Sequence, residues 1–92
     1  MGVAIFLKDP AAVIDYVVDW QAAYLAGQTI VDSRWDVAPV GLAVAAAGHD
    51  AGRSTATLTG GLRGCVYRLT NSVTFSDGRR DERSLDVRVE DR

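Results

Sequence analysis

The feature that most restricts this chain is a pair of strict two-residue alternations near its end. In residues 66–75, Tyr67, Leu69, Val73 and Phe75 alternate with Val66, Arg68, Thr70, Ser72 and Thr74. After Ser76-Asp77-Gly78 the alternation resumes, with Leu85, Val87 and Val89 on one side and Asp86, Arg88 and Glu90 on the other. A period of two sends successive side chains to opposite faces, so both segments read as strands with one buried face, joined as a hairpin.

Register follows from keeping the apolar faces together. A two-residue Asp77-Gly78 loop would set Leu69 opposite Asp86 and mix buried with exposed positions. A three-residue loop, with Gly78 in the left-handed position of a type I turn plus bulge, pairs Phe75 with Arg79, Leu69 with Leu85 and Tyr67 with Val87. The sequence predicts this second register.

Upstream, residues 53–59 alternate Ser54, Ala56 and Leu58 with Thr55, Thr57 and Thr59, and Gly60-Gly61 ends the run. Residues 29–37 place Val31, Trp35 and Val37 on one face and Asp32, Arg34 and Asp36 on the other, with Pro39 as terminator. Residues 41–52 begin as a short apolar strand, then lose all period in Ala45-Ala46-Ala47-Gly48-His49-Asp50-Ala51 and read as a mobile loop.

The first third supports two readings. Asp9 as N-cap, Pro10 at the first helical position, Val13, Ile14, Val17, Val18, Tyr24 and Leu25 at helical spacing, and Gly27 as terminator make a helix signature. Ile14, Tyr16, Val18 and Trp20 also alternate with Val13, Asp15, Val17 and Asp19, and this β-branched and aromatic content resists helix formation. The remaining strands need partners to close two layers, whereas one helix would leave a sheet face half covered, so the strand reading is preferred.

Leu62-x-Gly64-x-x-Tyr67 has the spacing of the tyrosine corner of immunoglobulin-like sandwiches, where a tyrosine hydroxyl entering a late strand bonds back to nearby backbone. The expected fold is therefore all-β, an immunoglobulin-like sandwich of about seven strands. The alternative is an α+β fold with a helix at residues 10–26 packed on an antiparallel sheet. Trp20, Trp35 and Tyr67 are read as core, and Gly78 as the structural turn residue.

At 92 residues one modest core is the ceiling, so a single domain over residues 1–92 is expected. A hydrophobic share of 48% with 24% charged residues is that of a chain that folds rather than stays disordered. The formal charge of −2 gives no electrostatic footprint for nucleic acid or an anionic membrane, so neither is expected as a partner. No stretch approaches the roughly 18 apolar residues of a membrane span, and the apolar start is too short for a secretory leader. Cys65, the lone cysteine, excludes an intramolecular disulfide, and it shares the face of Tyr67 as a small hydrophobe.

No catalytic, metal or cofactor site is read in the sequence. His49 is the lone histidine and lies in the alanine-rich segment, where a nucleophile–base pair would lack a rigid frame. One histidine and one distant cysteine do not make a metal set. The glycine run of residues 59–64 feeds a strand, not a helix, and lacks a Gly-Lys-Ser/Thr ending, so it is turn chemistry rather than a phosphate cradle. Asp77, Asp81, Glu82, Asp86 and Glu90 are interleaved with arginines, the pattern of a solvated sheet face, and an acid/base pair would need a concave cleft that so small a sandwich seldom has.

The charged hairpin end is the candidate docking surface: Arg79, Arg80, Asp81, Glu82 and Arg83 extend the ladder with hardly an apolar side chain to bury. Arg80 and Arg83 would make bidentate contacts to acidic groups on a partner, and Asp81 and Glu82 the reciprocal pairs.

Lys8-Asp9-Pro10, Asp15-Tyr16, Asp19-Trp20, residues 29–35, Leu58-x-Gly60-Gly61, Tyr67-x-x-Thr70-Asn71 and Gly78-Arg79-x-Asp81-Glu82-Arg83-Ser84 occur in this order along nearly the whole chain. In that order and spacing the sequence resembles the phage fiber-tail adaptor proteins. It departs from them in the long, alanine-rich segment at residues 45–51 and in Ala22-Ala23, where another aromatic is expected. The resemblance implies an immunoglobulin-like virion protein, assembled in the host cytoplasm and present in several copies. Its partners would be other phage structural proteins of the tail, tail tip, neck, fiber or capsid. Head decoration is the main rival role. A carbohydrate-binding module, which would expose its aromatics, ranks last because both tryptophans fall on inward faces.

Overall fold

The computed structural model describes residues 4–23 and 27–90. Seven strands and one short helix follow one another: β1 (Ala4–Lys8), β2 (Ile14–Asp19), α1 (Trp20–Ala23), β3 (Ile30–Ala38), β4 (Leu42–His49), β5 (Arg53–Gly60), β6 (Val66–Phe75) and β7 (Arg80–Val89). One sheet has the order β1-β7-β6-β3, the other β2-β5-β4, and β1 runs parallel to β7 while the other pairings are antiparallel. Two sheets face to face bury their inward rows and leave alternate residues in water.

The hairpin register is as the sequence predicts: Phe75 N–H donates to Arg79 C=O at 2.8 Å, and Leu69 faces Leu85 while Tyr67 faces Val87. Gly78 takes φ +90° in the three-residue loop, a conformation that costs an L-residue with a Cβ.

Residues 14–19 form a strand, and the helical reading of residues 10–26 is wrong apart from the one turn of α1. Asp9 caps a turn instead of a helix, its Oδ1 accepting from Ala11 N–H at 2.8 Å and its C=O from Ala12 N–H at 3.0 Å. Strand β2 is fixed by pairing with β5, which turns Tyr16 and Val18 inward. Tyr24 and Leu25, which the helical reading used, lie outside the described residues.

Two details correct the sequence reading. Residues 45–49 are not a loop: β4 runs on to His49, pairing Ala46 with Thr57 and Gly48 with Thr55 past a bulge at Ala45. The period vanishes there because these residues are exposed on both faces, so neither face is selected to be apolar. In β3, a register shift between Ile30 and Asp32 leaves Val31 exposed, so Ile30 rather than Val31 joins the core, and Ser33 still points inward.

The core divides into two contiguous parts. Tyr16, Leu42, Leu58, Tyr67, Leu69, Val87 and Val89 belong to the larger, and Val18, Trp20, Ile30, Val73 and Phe75 to the smaller, with Trp35 packed against both. Cys65 is half-buried against the larger part.

Candidate docking face

Tyr67 is fully buried, and its hydroxyl accepts from Leu62 N–H at 2.9 Å, which is the tyrosine corner read in the sequence. This fixes the Gly-rich crossing from β5 to β6 and so the position at which β6 enters its sheet.

At the other end of β6 the sandwich is held by a buried polar chain that the sequence reading missed. Trp20 Nε1 donates to Asn71 Oδ1 at 2.8 Å. Asn71 Nδ2 donates to Ser33 Oγ at 3.0 Å and to Arg34 C=O at 2.9 Å, and Ser33 Oγ donates to Ser54 Oγ at 3.0 Å. Trp20, Asn71 and Ser54 are fully buried, and the chain links both sheets. A polar residue at an inward position, Asn71 between Leu69 and Val73, was the available signal, since buried polar groups persist where they are paired. Lys8 was also missed. It is fully buried, and its ammonium donates to Gly60 C=O at 2.7 Å and Asp9 C=O at 3.0 Å. Burial pushes its pKa below the ordinary lysine range, with Asp9 pulling partly back.

The docking candidates sit where this smaller core ends. Strand β7 continues to Arg80, opposite Thr74, and the ladder includes Val73 with Asp81, Ser72 with Glu82 and Asn71 with Arg83. The extension is not without support, because the facing residues of β6 are core. Arg83 lies on the inward side, its guanidinium 4.7 Å from the Trp20 ring centroid, and Phe75 meets the same ring edge-on at 5.9 Å. Arg83 thus closes the end of the core. Arg79 reaches back to Asp77 at 3.4 Å within the turn.

Arg80 and Glu82 project from the opposite, outer face. Adjacent β3 supplies Asp32 beside Thr74 and Arg34 beside Ser72. The outer face therefore carries two rows, Asp32-Thr74-Arg80 and Arg34-Ser72-Glu82. These residues surround an open cleft of about 440 Å³ with the hydroxyls of Ser72 and Thr74 among its walls. Ser72 Oγ donates to Glu82 Oε2 at 3.5 Å, whereas neither the Arg34 nor the Arg80 guanidinium is paired with a described residue. Asp32 and Arg34 are the charged members of this face that sequence reasoning left out; they lie in another strand, and only the β3–β6 register brings them to the side of Arg80 and Glu82.

His49 ends β4 at an exposed turn, its Nδ1 3.2 Å from Asp50 C=O. Among the described residues no group of three or more His, Cys, Asp or Glu is placed to hold a metal ion. Trp20 is buried on every side and offers no ring to a sugar. The arrangement presents charge and hydroxyls on a rigid sheet, the equipment of a binding surface.

The solution structure of the PKD domain from KIAA 1837 protein resembles this chain at TM-score 0.57 and 18% identity, over 97% of this chain and 80% of that one. This likeness gives the fold, a sandwich of the immunoglobulin-like kind. No curated protein matches the chain. The family model described as podophage GP4 fiber-tail adaptor protein gp77 matches residues 8–88, from the buried Lys8 to Arg88 in β7. The chain belongs to the podophage fiber-tail adaptor family and is a non-enzymatic structural component of the phage tail.

Proposed function

We propose that this adaptor, present in several copies on the tail, docks a neighbouring tail or fiber protein through the charged end of the β6–β7 hairpin. The observation that carries the reading is a pair of guanidinium groups without an ion pair among the described residues, Arg34 and Arg80, flanking the outer cleft. An arginine already engaged gains little from a partner carboxylate, but an unpaired one on a rigid strand offers a preset bidentate fork. Within the candidate set of Arg79, Arg80, Asp81, Glu82 and Arg83, Arg80 and Glu82 face the partner. Arg79 is engaged by the turn, and Arg83 serves the fold by covering Trp20.

The test is particle assembly with Arg34→Glu/Arg80→Glu. The isolated domain keeps its fold, as surface changes away from structural features alter stability by only about 0.5 kcal/mol. Incorporation into tails falls, because the forks now repel the carboxylates they met. Incorporation at the wild-type level by a folded double variant refutes the docking face.

A further inference from the structure

Each sheet of an open sandwich has two edges, and a free edge strand presents backbone N–H and C=O groups to any extended chain that reaches it. The edges here are β1, β3, β2 and β4. Three carry deterrents to pairing. Strand β3 bears Asp32, Arg34 and Asp36, β2 bears Asp15 and Asp19, and β1 is five residues long and ends in Lys8. Strand β4 differs: its eight residues, Leu-Ala-Val-Ala-Ala-Ala-Gly-His, include no Lys, Arg, Asp, Glu or Pro. Its second half is exposed on both faces and, among the described residues, is bonded on one side alone, to β5.

We propose that β4 is a self-pairing edge, and that two copies of this chain join β4 to β4 in antiparallel fashion about a two-fold axis. The two three-stranded sheets become one sheet of order β2-β5-β4-β4-β5-β2.

The choice of a second copy as occupant rests on charge. Two-fold pairing sets a strand against itself, so a charge near the axis meets its own image, and like charges directly across a ladder are destabilising. Self-pairing of β3 would bring its aspartates and arginine against one another's copies near the axis. Strand β4 has no such penalty: an axis between Ala45 and Ala46 sets Ala45 against Ala46 of the second copy, and Leu42 against His49. The bulge at Ala45 increases local twist, a partial deterrent, but adds no charge. Pairing would satisfy backbone groups that β5 leaves open. It uses the sheet opposite to that of the charged hairpin.

Sedimentation of the purified full chain over a concentration series tests the proposal. A monomer–dimer equilibrium is expected, with β4 amides gaining protection from hydrogen exchange as dimer accumulates. Ala46→Lys and Ala46→Glu, each at an exposed edge position, weaken the dimer by about tenfold or more. An equimolar mixture of the two variants restores association, as opposite charges then meet near the axis. Val17→Lys, at an exposed position on β2, leaves association unchanged. Three results overturn the proposal: a chain monomeric at all concentrations, a dimer indifferent to both Ala46 variants, or no recovery on mixing them. Because the readout is self-association in solution, its failure is separate from failure of the hairpin to dock in particles.

Discussion

Gly41 sits over the Tyr67 phenol, and this contact gives the sharpest test of the tyrosine corner. A Cβ built on Gly41 would lie 2.6 Å from Tyr67 Oη, 3.1 Å from Cε1 and 3.2 Å from Cζ, and Gly41 has φ +138°. Gly41→Ala therefore suffers twice. The backbone is held where L-residues rarely go, costing about 1–3 kcal/mol, and the overlap with a buried ring costs a further 1–3 kcal/mol or so. Tyr67→Phe alone loses the bond to Leu62 N–H. Leu62 is an exposed residue, so water replaces part of that bond, and the loss is about 0.5–1.5 kcal/mol. In the Gly41→Ala background the same change removes the atom at 2.6 Å, while the ring carbons need give only a few tenths of an ångström. The second substitution then costs nothing or restores stability, so the cycle is non-additive by about 1–3 kcal/mol. Urea midpoints of the four proteins measure it. Effects that add to within about 0.5 kcal/mol refute the account of how the crossing is locked.

Asn71→Leu keeps volume but strands the Trp20 indole N–H and the Arg34 carbonyl inside the sandwich, so it destabilises by about 2–4 kcal/mol in chemical denaturation. Arg83→Ala uncovers Trp20 and costs about 0.5–1 kcal/mol, whereas Arg80→Ala stays within about 0.5 kcal/mol; thermal melts of the two variants separate the structural arginine from the one proposed to dock. Asp50 accepts from Gly52 and Arg53 N–H, and these bonds hold its carboxyl below the ordinary 3.8. A depressed carboxylate stabilises fully above its unfolded pKa and loses that contribution as pH falls through the folded one, so wild type and Asp50→Ala differ at neutral pH and converge in acid.

Legibility in the sequence tracked the number of faces that burial had to distinguish. Strands β5, β6 and β7 each have one covered face, so their alternation was plain, and the turn glycine then fixed register to the residue. Strand β4 lacks a covered face in its second half and looked like a loop. Strand β3 carries a bulge, and one extra residue reversed the expected burial of Ile30 and Val31. Residues 10–26 satisfied two periods at once, and the choice depended on a partner strand, β5, far away in sequence. In the docking candidate, the hairpin end was legible because it is local. The division of labour within it was not: Arg83 turns toward Trp20, from a segment some sixty residues earlier, and Arg34 approaches Arg80 only across β6.

That division explains how so small a sandwich can serve as an adaptor. On the inward row of β6 and β7 Arg83 is committed to Trp20, and the indole N–H, Asn71 and the two serines lock the same end from within. On the outward row the Arg34 and Arg80 guanidinium groups have no ion pair with a described residue, yet their strands hold them in position. Neighbouring strands lie about 4.8 Å apart and alternate residues about 6.8 Å apart along a strand. Arg34 and Arg80, two strands and one alternate step apart, therefore stand about 12 Å from each other at the backbone. A flexible tail with the same arginines would have to order itself on every encounter, whereas a sheet has met that entropic cost on folding. In the proposed docking, specificity resides in spacing: a partner whose carboxylates match that span engages both forks, and one whose carboxylates stand closer meets at most one of them.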